Sequence, residues 1–322
     1  MIRLFSPDLD GTLLGNPEAT ARFCHVWRRI PASHRPLLVY NSGRMPDNVR
    51  ELVADGLLVA PDYVISGVGT EIFGARTWEP LTDFNARFSE GWDLPLIEKI
   101  VGSHPGVERQ PPGFLHPYKS SWYLHRATAE IIWELEKKLK DAGLVVNVIY
   151  SSQRDLDVLP ALANKGNALA WLCERLHIPL PQVLVAGDTA NDSSMFRLPD
   201  VRGVVVENAQ PELYEDTVEL PVFCATRVMA DGVIEGLEHY GVVSEDDVAV
   251  VQVQPAAEGA APRAAFVEAR RSARLSPEEK GFIQDGYAKA IEALRRNITP
   301  LGFSACSIPD NETTGTDSNY HS

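Results

Sequence analysis

Phe5-Ser6-Pro7-Asp8-Leu9-Asp10-Gly11-Thr12-Leu13-Leu14 begins as an apolar run with Ile2 and Leu4, then sets two carboxylates one residue apart before a glycine and a hydroxyl. An apolar run of this length with turn residues behind it reads as a buried parallel strand. In an open α/β sheet, ligands bind just beyond the carboxyl ends of the strands. Asp8 and Asp10 are therefore expected at the mouth of a site. Their spacing suits a carboxylate nucleophile beside a second carboxylate acting as acid and base, with a hard cation between their charges. A surface Asp-x-Asp-Gly turn would carry the same residues, so the rest of the chain has to decide.

Downstream, Pro17 to Ile30 carries Phe23, Val26, Trp27 and Ile30 on one helical face. Leu37 to Tyr40 reads as a second strand ending at Asn41-Ser42-Gly43-Arg44, and Pro46 opens the next helix. A third strand, Tyr63 to Ile65, runs into Ser66-Gly67-Val68-Gly69-Thr70-Glu71. The two glycines there invite a dinucleotide reading, but the third glycine and the following helix are missing. The alternation breaks from about Trp78 to Leu159, where a helix from Thr128 to Asp141, a strand from Leu144 to Tyr150 and strands at Lys119 to Leu124 and Asp155 to Leu159 suggest an α+β insertion. It resumes with a helix opened by Asn164-Lys165, a strand at Val183 to Ala186 ending in Gly187-Asp188-Thr189-Ala190-Asn191-Asp192, a strand at Val201 to Val206 and a helix from Gly232 to Tyr240. The expected fold is α/β: a doubly wound parallel (Rossmann-like) sheet over 1–77 and 160–242, with an inserted α+β cap over 78–159. A Pro/Ala/Gly-rich linker (243–275) and a helical extension (276–322) follow.

The chain has 322 residues and a formal net charge of −14, which argues against nucleic acid or an anionic membrane surface as partner. No run approaches the length of a bilayer span, and the four scattered cysteines read as reduced thiols of a cytoplasmic protein. Two glycosylation sequons, at Asn297 and Asn311, then read as coincidence.

Four pieces fall in order at strand ends or helix starts: Asp8-x-Asp10-Gly-Thr, Ser42, Lys165, and Gly187-Asp188-x-x-Asn191-Asp192. Taken singly, Lys165 is a solvated helix-start lysine, Asp192 an N-cap and Ser42 a turn residue. In this order over residues 1–242 they resemble the four motifs of a haloacid-dehalogenase-superfamily phosphatase, with the insertion placed as a C2-type cap. Within that class, Ser66-Gly-Val-Gly-Thr-Glu71, Tyr118-Lys119-x-Ser121, Asp155-Leu-Asp157-Val-Leu-Pro160, Asn164-Lys-Gly-Asn-Ala168 and Asn208-Ala-Gln-Pro-Glu-Leu213 are similar to sucrose-phosphate phosphatases and related disaccharide-phosphate phosphatases. The resemblance implies Asp8 as nucleophile, Asp10 as acid and base, and Ser42 and Lys165 as catalytic groups on the phosphoryl oxygens. It implies Mg2+ on Asp8, the Asp10 carbonyl and Asp188, supported by Asp192 or Asn191. It further implies that sugar hydroxyls are read by Arg44, Glu71, Lys119, Arg154 and Asp157, although Arg154 reads equally well as one half of a surface ion pair. Ala190 stands where these enzymes usually have glycine and Tyr123 where histidine is common; the second departure bears on which sugar is bound.

The expected activity is Mg-dependent hydrolysis of a disaccharide or glycoside phosphate, sucrose 6-phosphate first, then mannosylfructose phosphate and glycosylglycerate phosphates. Two alternatives carry different signatures. A phosphomannomutase-like transferase would depend on a sugar bisphosphate. A non-catalytic phosphatase-like module would have no need of Asp8, Asp10, Lys165 and Asp188 together. Beyond the linker, Phe282, Ile283, Tyr287, Ile291 and Leu294 form an apolar helical face open to three readings: a regulatory tail, a dimerisation helix or the opening of a further domain. The third is favoured because the run from Ala290 through Gly302-Phe303-Ser304-Ala305 to Asp317–Ser322 resembles the entry of helical-barrel glycosidases.

Overall fold

A computed structural model describes residues 1–111, 115–151 and 153–244. Val243, expected to open the linker, is buried against the core, and the expectations placed on 245–322 lie outside the described residues.

The chain begins with β1 (Leu4–Pro7), α1 (Pro17–Arg29), β2 (Leu37–Asn41), α2 (Pro46–Ala54) and β3 (Tyr63–Ser66). A hairpin, β4 (Glu71–Gly74) and β5 (Glu79–Pro80), leads to a short helix α3 (Thr82–Asn85). The cap elements are α4 (Leu94–Gly102), β6 (Val107–Arg109), β7 (Ser120–Leu124), α5 (Ala129–Asp141), β8 (Val146–Ser151) and β9 (Asp155–Pro160). The chain then returns through α6 (Lys165–Arg175), β10 (Val183–Gly187), α7 (Ser193–Phe196), β11 (Arg202–Val205), α8 (Pro211–Thr217), β12 (Val222–Cys224) and α9 (Met229–His239).

The larger sheet has the order β12-β11-β10-β1-β2-β3-β4-β5, parallel from β12 to β3 and antiparallel beyond. Strand order reverses between β1 and β10, and that crevice is where an open α/β sheet binds its ligand. Both faces are covered, so β1, with all four residues buried, reads as a continuous apolar run rather than an alternation. On one face Phe23 and Trp27 of α1 stack at 5.7 Å, and Trp27 lies 5.7 Å from Phe5 of β1. Each such side chain contributes about 1.5–3 kcal/mol by leaving water, which fixes α1 over the central strand.

The smaller sheet, β6-β7-β9-β8, is antiparallel and has its own apolar cluster centred on Ile97, Trp122, Leu135, Leu139 and Leu156. α5 starts on the Thr128 side chain, as its sequence pattern predicts, and Gly143 turns the chain at φ +81. Three details depart from the sequence reading. Leu144 does not open the strand: its N–H caps α5 through Leu139 O, so β8 begins at Val146. Residues from Trp78 on do not all leave the larger body: β5 pairs with β4, and Phe84 and Phe88 pack with Ile65 and Ile72 of the main sheet. The last helix starts at Met229 rather than Gly232, because the Asn208 side chain accepts from the Met229 N–H.

Candidate active site

Register brings the motifs together. The Asp8 N–H extends the β1–β10 ladder to Ala186 O at 2.9 Å, which sets Asp8 beside the Gly187–Asp188 end of β10. Gly11 turns at φ +84, and a Cβ there would lie 2.1 Å from Asp188 Oδ2, so only glycine lets this loop close over that carboxylate. Thr12 Oγ1 donates to Asp188 Oδ1 at 2.9 Å. Asn208 Nδ2 donates to Gly11 O at 2.8 Å and ties the loop to the start of α9.

Lys165, wholly buried at the first turn of α6, donates from Nζ to Asp8 Oδ1 and to Asp192 Oδ1, each at 2.6 Å. Asp192 Oδ2 takes the backbone N–H groups of Asp188 and Thr189, each at 3.0 Å. Both oxygens of Asp192 are thus engaged, and it serves as the post that aims Lys165 at Asp8. Asn41 Nδ2 donates to Lys165 O at 3.1 Å and fixes the start of α6 against the end of β2.

Asp8, Asp188 and Asp192 each place a carboxylate oxygen within 4.8 Å of the others. Three carboxylates against one ammonium leave two negative charges uncompensated, which a divalent cation would balance. Burial pushes the Asp8 carboxyl up to about 7, with Lys165 pulling it down and Asp192 and Asp10 pushing it up. Burial raises Asp188 well above the carboxylate range, and the Asp8 and Asp192 charges add to this. Burial pulls Lys165 down, but Asp192 and Asp8 more than offset it, so its ammonium stays charged. An all-oxygen donor set with surplus negative charge fits magnesium rather than a softer metal.

Asp10 stands outside this cluster with its side chain 39% exposed, and the Arg44 guanidinium forks onto it, Nε to Oδ2 at 2.9 Å and Nη2 to Oδ1 at 2.6 Å. Arg44, expected among the sugar-reading residues, is therefore placed in the catalytic mouth. Ser42 Oγ accepts from the Arg44 N–H at 3.2 Å, which leaves its proton to give. Asn191 lies on a 3-10 turn at the rim, its Oδ1 accepting from Thr189 Oγ1. Ala190 shares that turn and is not among the residues of positive φ, so alanine enters the position without strain.

In the cap, Lys119 Nζ donates to Asp157 Oδ1 at 2.8 Å and to Ser121 Oγ at 2.7 Å, and Ser121 Oγ donates to the same carboxylate. Lys119, just before β7, and Asp157 of β9 are thus brought together by the pairing of the two strands. Arg154 is not part of this group. It forks onto Asp155 at the far end of β9 and lies over the Tyr123 ring, 47% exposed, as the ion-pair reading has it. Glu71 is raised by burial and lies 3.9 Å from the imidazole of His116. Sequence reasoning passed over Thr12, Asn41, Thr70, His116 and the packing of Asn208. Thr12, Asn41, Thr70 and Asn208 sat inside stretches already singled out, but His116 did not, and the contacts of Asn41 and Thr70 join residues more than 45 apart in sequence.

Comparison with known proteins places the chain among sugar-phosphate phosphatases. The family model for sucrose-6F-phosphate phosphohydrolase matches residues 1–241. Mannosylfructose-phosphate phosphatase of Agrobacterium fabrum is 44% identical over 245 residues, 75% of this chain and 98% of that protein. Sucrose-phosphatase 1 of Nicotiana tabacum is 36% identical over 250 residues, 73% of this chain but 58% of the tobacco protein. The chain thus matches nearly all of the bacterial relative and about three fifths of the plant one. Among solved structures, the sucrose-phosphatase of Synechocystis in complex with sucrose and phosphate aligns with a TM-score of 0.66 and 31% identity, covering 75% of this chain and 99% of that one. Thermoplasma acidophilum 0175, at TM-score 0.59 and 17% identity, shares the fold.

Proposed function

The chain belongs to the sucrose-6F-phosphate phosphohydrolase family of haloacid-dehalogenase-like phosphatases and is a disaccharide-phosphate phosphatase, and from that premise we propose a reaction path through Asp8 and a fructose-containing disaccharide phosphate as substrate. Mannosylfructose phosphate leads, because the relative of that name matches along nearly its whole length; sucrose 6-phosphate comes second.

In the first half-reaction the Asp8 carboxylate attacks phosphorus and the bond to the sugar oxygen breaks, with Asp10 giving that oxygen a proton. In the second, Asp10 takes a proton from water, which cleaves the aspartyl-phosphate. The Arg44 fork fixes where the Asp10 carboxylate stands in the mouth. Ser42 Oγ donates to one phosphoryl oxygen. Lys165, anchored by Asp192, holds Asp8 and neutralises another. Asp8, the Asp10 carbonyl and Asp188, with Asp192 behind them, would hold magnesium, which when bound supplies the positive charge that lets an anionic phosphate approach carboxylates.

The single observation that carries this reading is the Lys165 ammonium shared between Asp8 and Asp192 inside the three-carboxylate cluster. Asp8→Asn should cut phosphate release by about 10⁴-fold or more with the fold intact by circular dichroism. Asp10→Asn, which removes both the acid of the first half and the base of the second, should also nearly abolish phosphate release from the disaccharide phosphate. Near-normal turnover by Asp8→Asn would sink the covalent path.

A further inference from the structure

His116 sits just before β7, its side chain only 6% exposed, and every polar atom of its ring is spoken for. The Tyr118 N–H points at Nδ1 from 3.2 Å, so Nδ1 carries a lone pair and the proton is on Nε2. Nε2 lies 2.8 Å from Thr70 Oγ1 and donates to it, and Thr70 Oγ1 in turn donates to Gly67 O at 3.0 Å. The direction of each bond is fixed by its neighbour. The imidazole is neutral, consistent with burial and the nearby Lys119 charge lowering it to about 4, so its 3.9 Å approach to Glu71 is no ion pair.

What this chain of bonds connects gives it a purpose. Residues 66–70 line the back of the catalytic mouth: the Gly67 N–H donates to Arg44 O and the Val68 N–H to Ser42 O, each at 3.2 Å. Gly69 presses on the start of α6, where a Cβ would lie 2.2 Å from Asn164 O and 2.9 Å from the Lys165 nitrogen. On the other side, the Lys119 N–H closes a turn onto His116 O at 3.0 Å, and Lys119 is the cation that grips Asp157 and Ser121. Two Thr70–His116 atoms therefore join the loop behind Ser42 and Lys165 to the turn that presents the cap's charged cluster.

We propose that His116 and Thr70 form a neutral clamp that sets the position of the Lys119–Asp157 cluster relative to the phosphate site, making His116 a positioning residue for the sugar and a determinant of substrate choice. The proposal rests on the disaccharide-phosphatase reading. The clamp touches neither phosphorus nor the Asp8, Asp10, Asp188 and Asp192 carboxylates, so it acts on where the sugar is held and leaves bond cleavage alone. A substrate that is mostly phosphate has nothing for the cap to position. A disaccharide phosphate needs the core and the cap at a fixed separation, because its two ends are bound by different bodies.

The test uses the full chain and four variants: His116→Ala, His116→Gln, Thr70→Val and the double variant His116→Ala/Thr70→Val. Kinetics are compared on mannosylfructose phosphate, sucrose 6-phosphate and p-nitrophenyl phosphate. Each single loss should raise KM for the preferred disaccharide phosphate about tenfold, with kcat and the small-ester rate within about twofold. His116→Gln, whose side-chain amide can still donate to Thr70, should recover most of the loss, and the double variant should be no worse than His116→Ala. Equal losses on all substrates, full additivity, or no rescue by glutamine would overturn the clamp. A second readout does not depend on turnover. In nitrogen NMR the wild-type ring should show an Nε2–H neutral tautomer at pH 5, and His116→Ala should speed amide exchange at Lys119. A ring that titrates near 6.5, or unchanged exchange, overturns the proposal even if no disaccharide phosphate proves to be a substrate. Hydrolysis of p-nitrophenyl phosphate with none of the disaccharide phosphates would instead count against the functional reading.

Discussion

Among the described residues two lysines are buried, and they are placed in opposite electrical settings. Lys165 in the core meets Asp8 and Asp192 with Asp188 close by, so the core holds more negative charge than it can balance. Lys119 in the cap meets one carboxylate and one hydroxyl, and that pair closes on itself. The core cluster is sealed: Lys165 and Asp192 are 0% exposed, whereas Asp157 keeps 21% of its side chain open. A sealed, over-charged cluster is suited to hold a cation and orient a nucleophile. A balanced pair with one open edge is suited to exchange partners with sugar hydroxyls, which both donate and accept.

The strongest way to break this contrast is to remove each ammonium. Lys165→Met leaves buried carboxylates with no counter-charge, and should cost about 3–5 kcal/mol of stability, the usual loss when one partner of a buried pair is removed. Turnover should fall by about 10³-fold or more on every substrate. Lys119→Met should cost about 1–3 kcal/mol, the penalty for an unsatisfied buried group, and spare p-nitrophenyl phosphate. Urea unfolding beside kinetics on both substrates checks the pair. Equal stability losses would mean that the two settings are energetically alike after all.

This contrast also explains how much of the molecule could be read from the sequence. Asp8, Asp188 and Lys165 announce themselves because each must sit at a strand end or helix start within a fixed local motif, and the parallel register then assembles them. The β-α-β alternation gave the sheet for the same reason. The cap was legible only in outline. Its Lys119–Asp157 contact depends on a strand pairing that no local pattern specifies, and the fork of Arg44 onto Asp10 is likewise a contact between distant parts of the sequence. Phe84 and Phe88 looked like cap residues because alternation stops at Trp78, yet a hairpin can extend a parallel sheet without any crossover helix. His116 carries no motif at all: its role exists only once Thr70 is folded against it.

The next largest effect belongs to the cap side of the contrast, and it is a pH dependence. His116 titrates at about 4 in the fold against an ordinary 6.5. Between those values the unfolded chain binds a proton that the folded chain refuses, so stability is whole above about 6.5 and is lost as pH falls toward 4. The loss should reach up to about 3 kcal/mol. Glu71 and Lys119 face the ring, and Glu71, raised by burial, contributes its own pH term, so the quantity to measure is the difference between wild type and His116→Gln, which retains both. That difference should narrow from pH 7 to pH 4.5. A constant difference would mean that His116 is ordinarily solvated.

On the core side, magnesium should raise the unfolding temperature of the wild type, by the equivalent of about 2.7 kcal/mol at a hundred times its dissociation constant. Asp188→Asn should do two opposite things. It relieves repulsion in the metal-free protein, which becomes more stable than wild type, and it weakens or abolishes the response to magnesium. A variant that is destabilised without metal would show that the Thr12 hydrogen bond, rather than a cation, balances this carboxylate.

The smallest expected effect sharpens where the cap's functional surface ends. Asp157 and Arg154 lie three residues apart on and beside β9, and both were candidates for reading the sugar. Asp157 is locked to Lys119 and Ser121, next to the turn that His116 clamps. Arg154 is 47% exposed, paired with its sequence neighbour Asp155 and laid over Tyr123. An exposed pair of this kind is worth about 0–1 kcal/mol, because solvent screens it and both side chains lose freedom in forming it. Arg154→Ala should therefore change KM for the disaccharide phosphate by less than about twofold, while Asp157→Asn, which removes a charged hydrogen-bond acceptor, should raise it by about tenfold or more. The comparison is made at low and at high salt, since a surface contribution would fade with salt and a buried one would not. If Arg154→Ala matched Asp157→Asn, the sugar would have to reach the far end of β9, and the Lys119–Asp157 cluster would be one edge of a longer binding surface instead of its centre.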